Sequence, residues 1–568
     1  MKRQSPRLAA ILCIVLVVAG IAFRFTNLGR KIYGLDETFT SLRISGYTEA
    51  QAVEELRARE VVETADLQKF QRSNADTPFS GTVLGLMREE PQHPPLYYVL
   101  ARLWARGVGD SVVVTRTLPA LLSLLALPAM FWLCRELFED PLVAWVATAL
   151  LAVSPFHLLY AQEARQYSLW TATTLASSAA LLRAMRRDTA RGWSLYAILL
   201  AASFYTFLLA ALVALGHAIY VIIVQRFRLD RTVVRYVAAS LVAGVLFLPW
   251  AAGVLANFSQ VRSTTTWNEG KRAGVAALAR NWARQPGRAF FDLNPSADAP
   301  RGYRLLQWGF TAVGLAGIAV ALVVLCRHAP RKAWAFVVTL IGVTGAGLVL
   351  QDLIVGGQGG AASTYSRYLT PCYLGFAIAV AYLLVRQTGR ASASPAARML
   401  WRGMAGLFFA GGVASCLLVL GARIWWNKGG PEYLADIRSA AAVINACEQP
   451  LLLSDGNTWS MLFVSHLLDA KVKLVVRPRC FSCKLPAPAD FAPDFARHAA
   501  TFSDVFLFPG PSRQLMARAQ EQGFRLRPYT FTLRETFLRK LEAPAPPATR
   551  PALSAAAPGA AAPSVAAP

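Results

Sequence analysis

Long apolar segments recur along this chain, and they constrain its fold more than any other feature. A helix that crosses a bilayer needs roughly 20 predominantly apolar residues and must satisfy its backbone hydrogen bonds internally. With 55% hydrophobic and only 16% charged residues, the sequence predicts an all-α polytopic membrane protein. We expect about eleven transmembrane helices, at residues 8–25, 116–134, 142–160, 167–182, 193–206, 207–225, 234–252, 304–325, 333–350, 368–386 and 403–420.

Basic residues indicate which side of the membrane each connection occupies. Arginines are concentrated in every second connection, at residues 183–191, 226–235, 327–332 and 386–402. Because Lys and Arg are retained in cytoplasmic loops, this pattern places the N-terminus inside, with an uncleaved first helix. The net charge of +25 is spread between apolar segments rather than gathered in one domain, which argues against nucleic acid as a partner.

Two long connections, about residues 26–115 and 253–303, are then external. A full span at residues 93–107 would reverse the side of every later loop, so this segment is expected to be an amphipathic helix at the outer interface, with Arg102 and Arg106 on its polar side. Residues 48–72 alternate acidic and basic side chains at helical spacing, which predicts a solvated helix.

The region after the last span predicts a small extracytoplasmic α/β domain. A helical segment at Pro431 to Cys447 is followed by three short apolar strands, at residues 451–454, 472–476 and 504–508. Cys480 and Cys483 form a lone CxxC without two further zinc ligands, so a disulfide is expected. The predicted domains are therefore residues 1–420 in the membrane, 421–542 outside it, and a disordered Ala/Pro-rich tail at 543–568.

Four clusters of polar or aromatic residues fall on the outer side under this topology. Asp36 and Glu37 follow the first apolar segment, where carboxylates near lipid are usually paired, hydrated or functional. The other clusters are Gln92 to Tyr98, Gln162 to Tyr167, and Tyr365 to Tyr368. In the second cluster, paired prolines hold His93 at a helix start, where free N–H groups favour a phosphate.

Each cluster also has an ordinary structural interpretation. The two acids could simply end a solvated loop, and His93 could be a structural hydrogen-bonding group beside proline. Glu163 and Arg165 could pair with each other, while Arg367 and its tyrosines could anchor the chain to lipid headgroups. The convergence of carboxylates, cations and tyrosines on one surface instead favours a transferase that uses a lipid-phosphate sugar.

The order of these motifs resembles the bacterial branch of the dolichyl-phosphate-mannose-protein mannosyltransferase superfamily, which includes the aminoarabinose transferases of lipid A modification. The matching segments are His93 to Tyr98, Thr115 to Leu121, Ser154 to Phe156, and Gln162 to Tyr167. The resemblance is good over about residues 30–190, weaker to 420 and absent beyond. It implies the membrane glycosyltransferase fold called GT-C, a polyprenyl-phosphate-linked donor, and inverting transfer of a hexosyl or pentosyl group outside the cytoplasmic membrane.

The resemblance also implies roles for single residues. Asp36 matches the catalytic aspartate of the first loop, Glu163 the acidic residue of the second, and Arg367 a cation near the donor phosphate. His93 stands where the aminoarabinose branch has a lysine. Inverting transfer needs one general base near the acceptor hydroxyl and fixed cations for the departing phosphate. The expected site therefore comprises catalytic Asp36, Glu37 and Glu163, with donor phosphate held by His93, Arg165, Arg367 and Tyr368.

Two other functions remain open at this point. A transporter or flippase of lipid-linked saccharides would also have many spans, but it would more often show inverted repeats and charges near the bilayer midplane. An oligosaccharide polymerase or ligase would use a diphosphate-linked donor. The acceptor is expected to be a lipid, glycan or protein. Some members of the resembling group bind a divalent cation without a demonstrated need for it, so metal dependence is also open.

Overall fold

The protein combines a large helical bundle with a small mixed α/β domain, and both were expected. The computed structural model describes residues 6–265, 275–296, 299–355, 362–389, 394–425, 431–488, 491–531 and 538–543. The predicted tail at 543–568 lies outside the described residues, except for Ala543.

Helices account for most of the described chain. The first thirteen are α1 (Pro6–Phe25), α2 (Leu35–Ser45), α3 (Glu49–Ala58), α4 (Thr64–Lys69), α5 (Phe79–Glu89), α6 (Leu96–Val108), α7 (Val112–Leu124), α8 (Ala126–Leu137), α9 (Pro141–Ala152), α10 (Pro155–Ala161), α11 (Tyr167–Arg187), α12 (Ala190–Thr206) and α13 (Ala210–Val224). The others are α14 (Arg231–Ala256), α15 (Phe258–Thr265), α16 (Val275–Arg288), α17 (Arg301–His328), α18 (Arg331–Val355), α19 (Thr370–Gly389), α20 (Pro395–Gly421), α21 (Pro431–Asn445), α22 (Thr458–Val464), α23 (Phe495–Thr501) and α24 (Arg513–Glu521).

Every predicted span coincides with a helix or a pair of consecutive helices. Seven segments of the described chain are long and apolar enough to cross a membrane, and the pair α9 and α10, bent by 59°, would make an eighth. The remaining three predicted spans correspond to α11, which carries arginines in its last turn, and to the shorter α12 and α13. The chain is a multi-pass membrane protein, and the number eleven stays a prediction.

The bend between α9 and α10 helps to place the candidate site. Pro155 begins α10 and cannot continue the hydrogen bonding of α9. Buried Arg24 compensates, because its guanidinium donates to the carbonyl oxygens of Leu151 and Ala152 at 3.4 and 2.9 Å. The chain therefore turns without leaving these carbonyls unpaired, and α10 ends just before the polar segment 162–166.

Six strands form one sheet, five from the C-terminal region and one from the first long connection. They are β1 (Val62–Glu63), β2 (Pro450–Ser454), β3 (Lys473–Val476), β4 (Asp504–Leu507), β5 (Arg525–Tyr529) and β6 (Leu538–Glu542), in the order β1-β3-β2-β4-β6-β5. The central strands are parallel and almost wholly buried, as the apolar runs predicted. A disulfide joins Cys480 to Cys483.

The prediction of one solvated helix over residues 48–72 is wrong. This segment folds as α3, β1 and α4, and β1 pairs antiparallel with β3 of the C-terminal domain. Ala52, Leu56 and Leu67 are fully buried in a core shared with α21 and α22. The alternating charges suggested a helix exposed on all sides, and the narrow apolar face was missed because it is buried only by residues distant in sequence.

The amphipathic helix predicted near residues 93–107 is present as α6, but Arg102 does not lie on an exposed polar face. Its side chain is buried and donates hydrogen bonds to Thr77 and Thr82. The first long connection therefore folds back on α6 and satisfies this cation internally. The position of α6 at the membrane interface stays a prediction.

Candidate functional site

A cavity of about 630 Å³ lies between the helical bundle, the first long connection and the C-terminal domain. All seven residues of the predicted site line it, namely Asp36, Glu37, His93, Glu163, Arg165, Arg367 and Tyr368. These residues come from four segments of the chain, and two of them, Asp36 and Arg367, are 331 positions apart in the sequence. The structure thus brings the four predicted clusters together, while their chemical roles stay predictions.

Glu37 anchors the beginning of α2. Its carboxylate is buried and accepts hydrogen bonds from the backbone N–H groups of Gly34 and Ala164, both at 2.9 Å. The guanidinium of Arg116 on α7 donates two more, at 2.7 and 2.6 Å. Because these bonds tie α2 to α7 and to segment 162–166, Glu37 fixes the position of its neighbour Asp36.

Asp36 faces the cavity and forms an ion pair with Arg367. The Nη1 atom of Arg367 lies 3.0 Å from Oδ2 of Asp36, whose side chain is 39% exposed, compared with 12% for Arg367. An aspartate on the first turn of a helix is stabilised by the positive end of the helix dipole. Of the two adjacent acids, Asp36 is therefore the one that a small molecule in the cavity can reach.

Arg367 is held in a cage of tyrosines. Its guanidinium carbon lies 5.3 Å from the ring centres of Tyr365 and Tyr368, and 5.9 Å from that of Tyr167. Its Nε atom is buried and has no hydrogen-bond partner among the described residues. A planar, permanently charged group fixed in this way can bind phosphate oxygens in a defined orientation.

Arg165 and His93 extend this cationic region. Nη1 of Arg165 lies 3.2 Å from the backbone carbonyl oxygen of Asp36, and Nη2 lies 3.4 Å from Nε2 of His93. Burial, reinforced by the charge of Arg165, lowers the pKa of His93 to about 4. His93 is therefore neutral near pH 7 and can offer a hydrogen bond to an anion but not a full positive charge.

Glu163 is buried beside this group and lines the cavity. Its backbone carbonyl oxygen accepts the N–H of Arg165 at 2.7 Å, in the tight segment between α10 and α11. Tyr368 packs against Phe207 with ring centres 5.9 Å apart, so its ring supports Arg367 from the bundle side.

Several residues of the cavity wall were not assigned a role from sequence. Lys31 donates to Gln162 at 2.8 Å, and Glu90 binds Arg43 at 2.7 Å. Burial opposes ionisation of Glu90, but Arg43 and His93 keep its pKa below the usual value. Arg116 belongs to the segment Thr115 to Leu121, which matched the resembling superfamily, so the sequence did point to this residue. By contrast, nothing in the sequence indicated the wall residues that follow the last span, which are Arg423, Ile424, Trp425, Leu434, Trp459 and Phe481.

The acidic groups of the cavity do not form a typical metal site. The described residues contain no group of three or more His, Cys, Asp or Glu side chains arranged to hold a metal ion. Glu37 is bound by Arg116, and Asp36 faces Arg367, so neither carboxylate converges with other acids on one point. The donor set does not fit the divalent cation left open above, and no step below uses one.

Comparison with known proteins identifies a family and a fold. The model of the family described as predicted membrane protein (DUF2142) matches residues 29–376, which is more than half of the chain. The chain belongs to this family. The match spans nearly all of the first connection and eight of the predicted spans in full, and it includes every residue of the candidate site. No curated protein matches the chain.

Among solved structures, the chain is similar to ArnT from Cupriavidus metallidurans bound to undecaprenyl phosphate, with 13% identity, a TM-score of 0.51, and coverage of 94% of this chain and 97% of that one. ArnT in the apo state gives 15% identity, a TM-score of 0.50 and the same coverage. The oligosaccharyltransferase AglB from Archaeoglobus fulgidus gives 10% identity, a TM-score of 0.46, and coverage of 87% and 69%. At these identities the likeness to ArnT concerns the fold, and the predicted GT-C fold is confirmed.

Proposed function

We propose that this protein is an inverting glycosyltransferase that moves a sugar from a polyprenyl-phosphate-linked donor to an acceptor hydroxyl. The observation that carries the proposal is the pair of Asp36 and Arg367, 3.0 Å apart in one cavity, with the cation caged by tyrosines. This arrangement supplies a reachable base and a fixed phosphate-binding group side by side. The fold shared with ArnT, which was solved with undecaprenyl phosphate bound, supports the same class of donor.

In this mechanism Asp36 removes the proton from the acceptor hydroxyl. The acceptor oxygen attacks the anomeric carbon from the face opposite the phosphate, and the bond from that carbon to the phosphate oxygen breaks. Polyprenyl phosphate leaves with the bonding electron pair. Arg367 and Arg165 balance its developing charge, and His93 can add a neutral hydrogen bond.

The ion pair suggests an order of events. Asp36 and the donor phosphate would compete for the same guanidinium, since Nη1 of Arg367 is bound to Oδ2 of Asp36. A phosphate that takes over Arg367 leaves the Asp36 carboxylate available as a base. The donor is therefore expected to bind before the acceptor is deprotonated.

Glu37 and Glu163 have supporting roles in this proposal. Glu37 is bound on both oxygens, so it orients Asp36 rather than accepting the proton. Glu163 lines the cavity beside Arg165 and is proposed to orient the acceptor. The sidedness of the arginine-rich connections supports placement of the cavity at the outer face of the cytoplasmic membrane.

The test is transfer by the purified protein in lipid, supplied with a panel of polyprenyl-monophosphate and polyprenyl-diphosphate sugars, with free polyprenyl carrier as the readout. Wild type should release polyprenyl phosphate from at least one monophosphate donor, and Asp36→Asn should not. Asp76→Asn is a matched control, because Asp76 is an exposed aspartate of the same connection outside the cavity wall. Release from diphosphate donors alone, or equal release by Asp36→Asn, would contradict the proposal.

A further inference from the structure

A second cavity, of about 1010 Å³, lies where three of the candidate membrane spans begin or end. One side of it is formed by residues just after α1, by the first residues of α7, and by Arg423, just after α20. The other side is formed by α21 and by the turn at His466 in the C-terminal domain. Because the spans end at the membrane surface, this cavity lies at the level of the lipid headgroups.

The lining of the second cavity is basic. Its described residues include Arg30, Lys31, Arg423 and Arg438, and none of them is acidic. Arg423 and Arg438 are exposed and form no ion pair with any residue that the structure describes. Arg30 is exposed as well, and its Nε atom donates to the carbonyl oxygen of Gly421 at 2.6 Å, which fixes the guanidinium beside the end of α20. Several cations without a countercharge in the lining favour a bound phosphate.

An exposed apolar face of the span that contains α7 begins at this cavity. Val113, which lines the cavity, is 47% exposed, and Leu121 and Leu125 are 38% and 54% exposed. Because these positions are spaced by multiples of four residues, they lie along one side of the span. In a segment apolar enough to cross a membrane, such a face contacts acyl chains. A ligand that carries both a phosphate and acyl chains therefore matches both surfaces.

We infer that the second cavity binds the headgroup of an anionic phospholipid such as phosphatidylglycerol, with the acyl chains along the face that begins at Val113. A zwitterionic headgroup would bring an ammonium group into a basic lining, so the site should select against phosphatidylcholine. A free phosphate would meet the same cations but would gain nothing from the apolar face. The bound lipid is a resident component of the membrane, and it is neither the donor nor the acceptor of the proposed reaction.

The second cavity shares a wall with the candidate site. Lys31, Ile32 and Arg423 line both cavities. The N–H of Ile32 donates to the carbonyl oxygen of Arg423 at 3.1 Å, and Arg116, the partner of Glu37, donates to the carbonyl oxygens of Lys31 and Ile32, each at 3.0 Å. A headgroup bound by Arg423 would therefore stabilise the segment that positions Glu37. Because a ligand that binds only the folded state stabilises it, phosphatidylglycerol should raise the unfolding temperature.

Native mass spectrometry of the full chain in detergent tests the inference, because it resolves single bound lipids. The probes are palmitoyl-oleoyl phosphatidylglycerol, phosphatidylcholine with the same chains, and glycerol phosphate. We expect the first phosphatidylglycerol to bind wild type at least about tenfold more tightly than either other probe. The double variant Arg30→Gln, Arg438→Gln changes two residues that line this cavity and not the candidate site. Its affinity for phosphatidylglycerol should fall about 25-fold, because each arginine near an anionic headgroup contributes about fivefold.

The matched control is Arg513→Gln, Arg525→Gln, which changes two exposed arginines of the C-terminal domain that line neither cavity. The control should bind phosphatidylglycerol as wild type does, and both double variants should unfold at the wild-type temperature when this lipid is absent. Equal affinities for phosphatidylglycerol and phosphatidylcholine, or for phosphatidylglycerol and glycerol phosphate, would overturn the inference. Wild-type affinity in Arg30→Gln, Arg438→Gln, or an equal loss in the control, would also overturn it.

Arg367→Ala separates this site from the proposed function. Arg367 lines the candidate site and not the second cavity, so this variant should bind phosphatidylglycerol normally. Loss of the lipid in Arg367→Ala would place it in the candidate site and contradict the inference. The binding assay needs no turnover, so selective binding of phosphatidylglycerol by a protein that transfers no sugar would refute the proposed function and leave this site standing.

Discussion

The two adjacent acids of α2 should respond in opposite ways to removal of their charge. Asp36→Asn removes one ion pair of a side chain that is 39% exposed, and such solvent-screened pairs contribute less than about 1 kcal/mol to stability. Removal of a positioned base, however, should slow transfer by about 10²- to 10⁴-fold. We therefore expect Asp36→Asn to unfold at nearly the wild-type temperature and to have almost no activity.

Glu37→Gln should instead destabilise the fold. The buried Arg116 guanidinium loses its countercharge, and disruption of such a pair costs about 3–5 kcal/mol. Three backbone carbonyl oxygens, from Leu28, Lys31 and Ile32, still accept from Arg116 at 2.7–3.0 Å. The free energy of unfolding should accordingly fall by about 3 kcal/mol, near the lower end of that range. This loss should be visible as a clear drop in the unfolding temperature.

Both variants are compared with wild type in the same nanodiscs, by thermal unfolding and by release of polyprenyl phosphate at a temperature where all three are folded. The decisive result is that Asp36→Asn loses activity but not stability, whereas Glu37→Gln loses stability. A Glu37→Gln protein as stable as wild type would show that the buried pair does not hold α2 in place. A fully active Asp36→Asn protein would remove Asp36 from the role of base.

Three further outcomes follow from the site. Arg367→Lys keeps the charge but loses the planar guanidinium, so the KM for the donor should rise about tenfold, and it should rise more in Arg367→Ala. An unchanged donor KM would favour the alternative in which Arg367 only anchors the chain to lipid headgroups. Because the pKa of His93 is lowered from 6.5 to about 4, the unfolded chain binds this proton more readily between those values. The free energy of unfolding should therefore decrease as the pH falls from 6.5 to 4, and decrease less in His93→Gln, as denaturant titrations at several pH values can check. Finally, the Glu49 carboxylate accepts backbone N–H groups of the loop from Phe481 to Cys483, so Glu49→Gln should accelerate amide hydrogen exchange there. Glu60→Gln, which removes one partner of an exposed ion pair with Arg497, should not. Equal exchange in the two variants would show that Glu49 does not hold this loop.

The apolar segments and the polar clusters could be predicted because each depends on residues close in sequence. A membrane helix can be predicted from one continuous run of apolar side chains. The strands at 450–454 and 504–507 are also continuous apolar runs, only shorter. The convergence of the four clusters also followed from topology, since alternate loops of a helical bundle share one side.

The parts that sequence could not supply depend on partners far along the chain. The burial of Leu56 and Leu67 and the pairing of β1 depend on strands and helices some 400 residues away. The buried state of Arg102 depends on nearer residues, Thr77 and Thr82, but it too requires a tertiary fold, in which this segment lies over α6. The positions of Trp459 and Phe481 in the cavity wall could not be predicted, because a lone aromatic residue in a soluble domain is more often part of a core than of a binding site.

The short strand β1 has a consequence for how the protein is made. It belongs to the connection after the first helix, yet its only ladder in the described structure is with β3, a segment synthesised after the last span. The first connection thus remains without its strand partner until nearly the whole chain has left the ribosome. Truncation after α20 should therefore leave a protein that still inserts into the membrane but exposes Val62, Leu67 and Phe70 to proteases and chaperones.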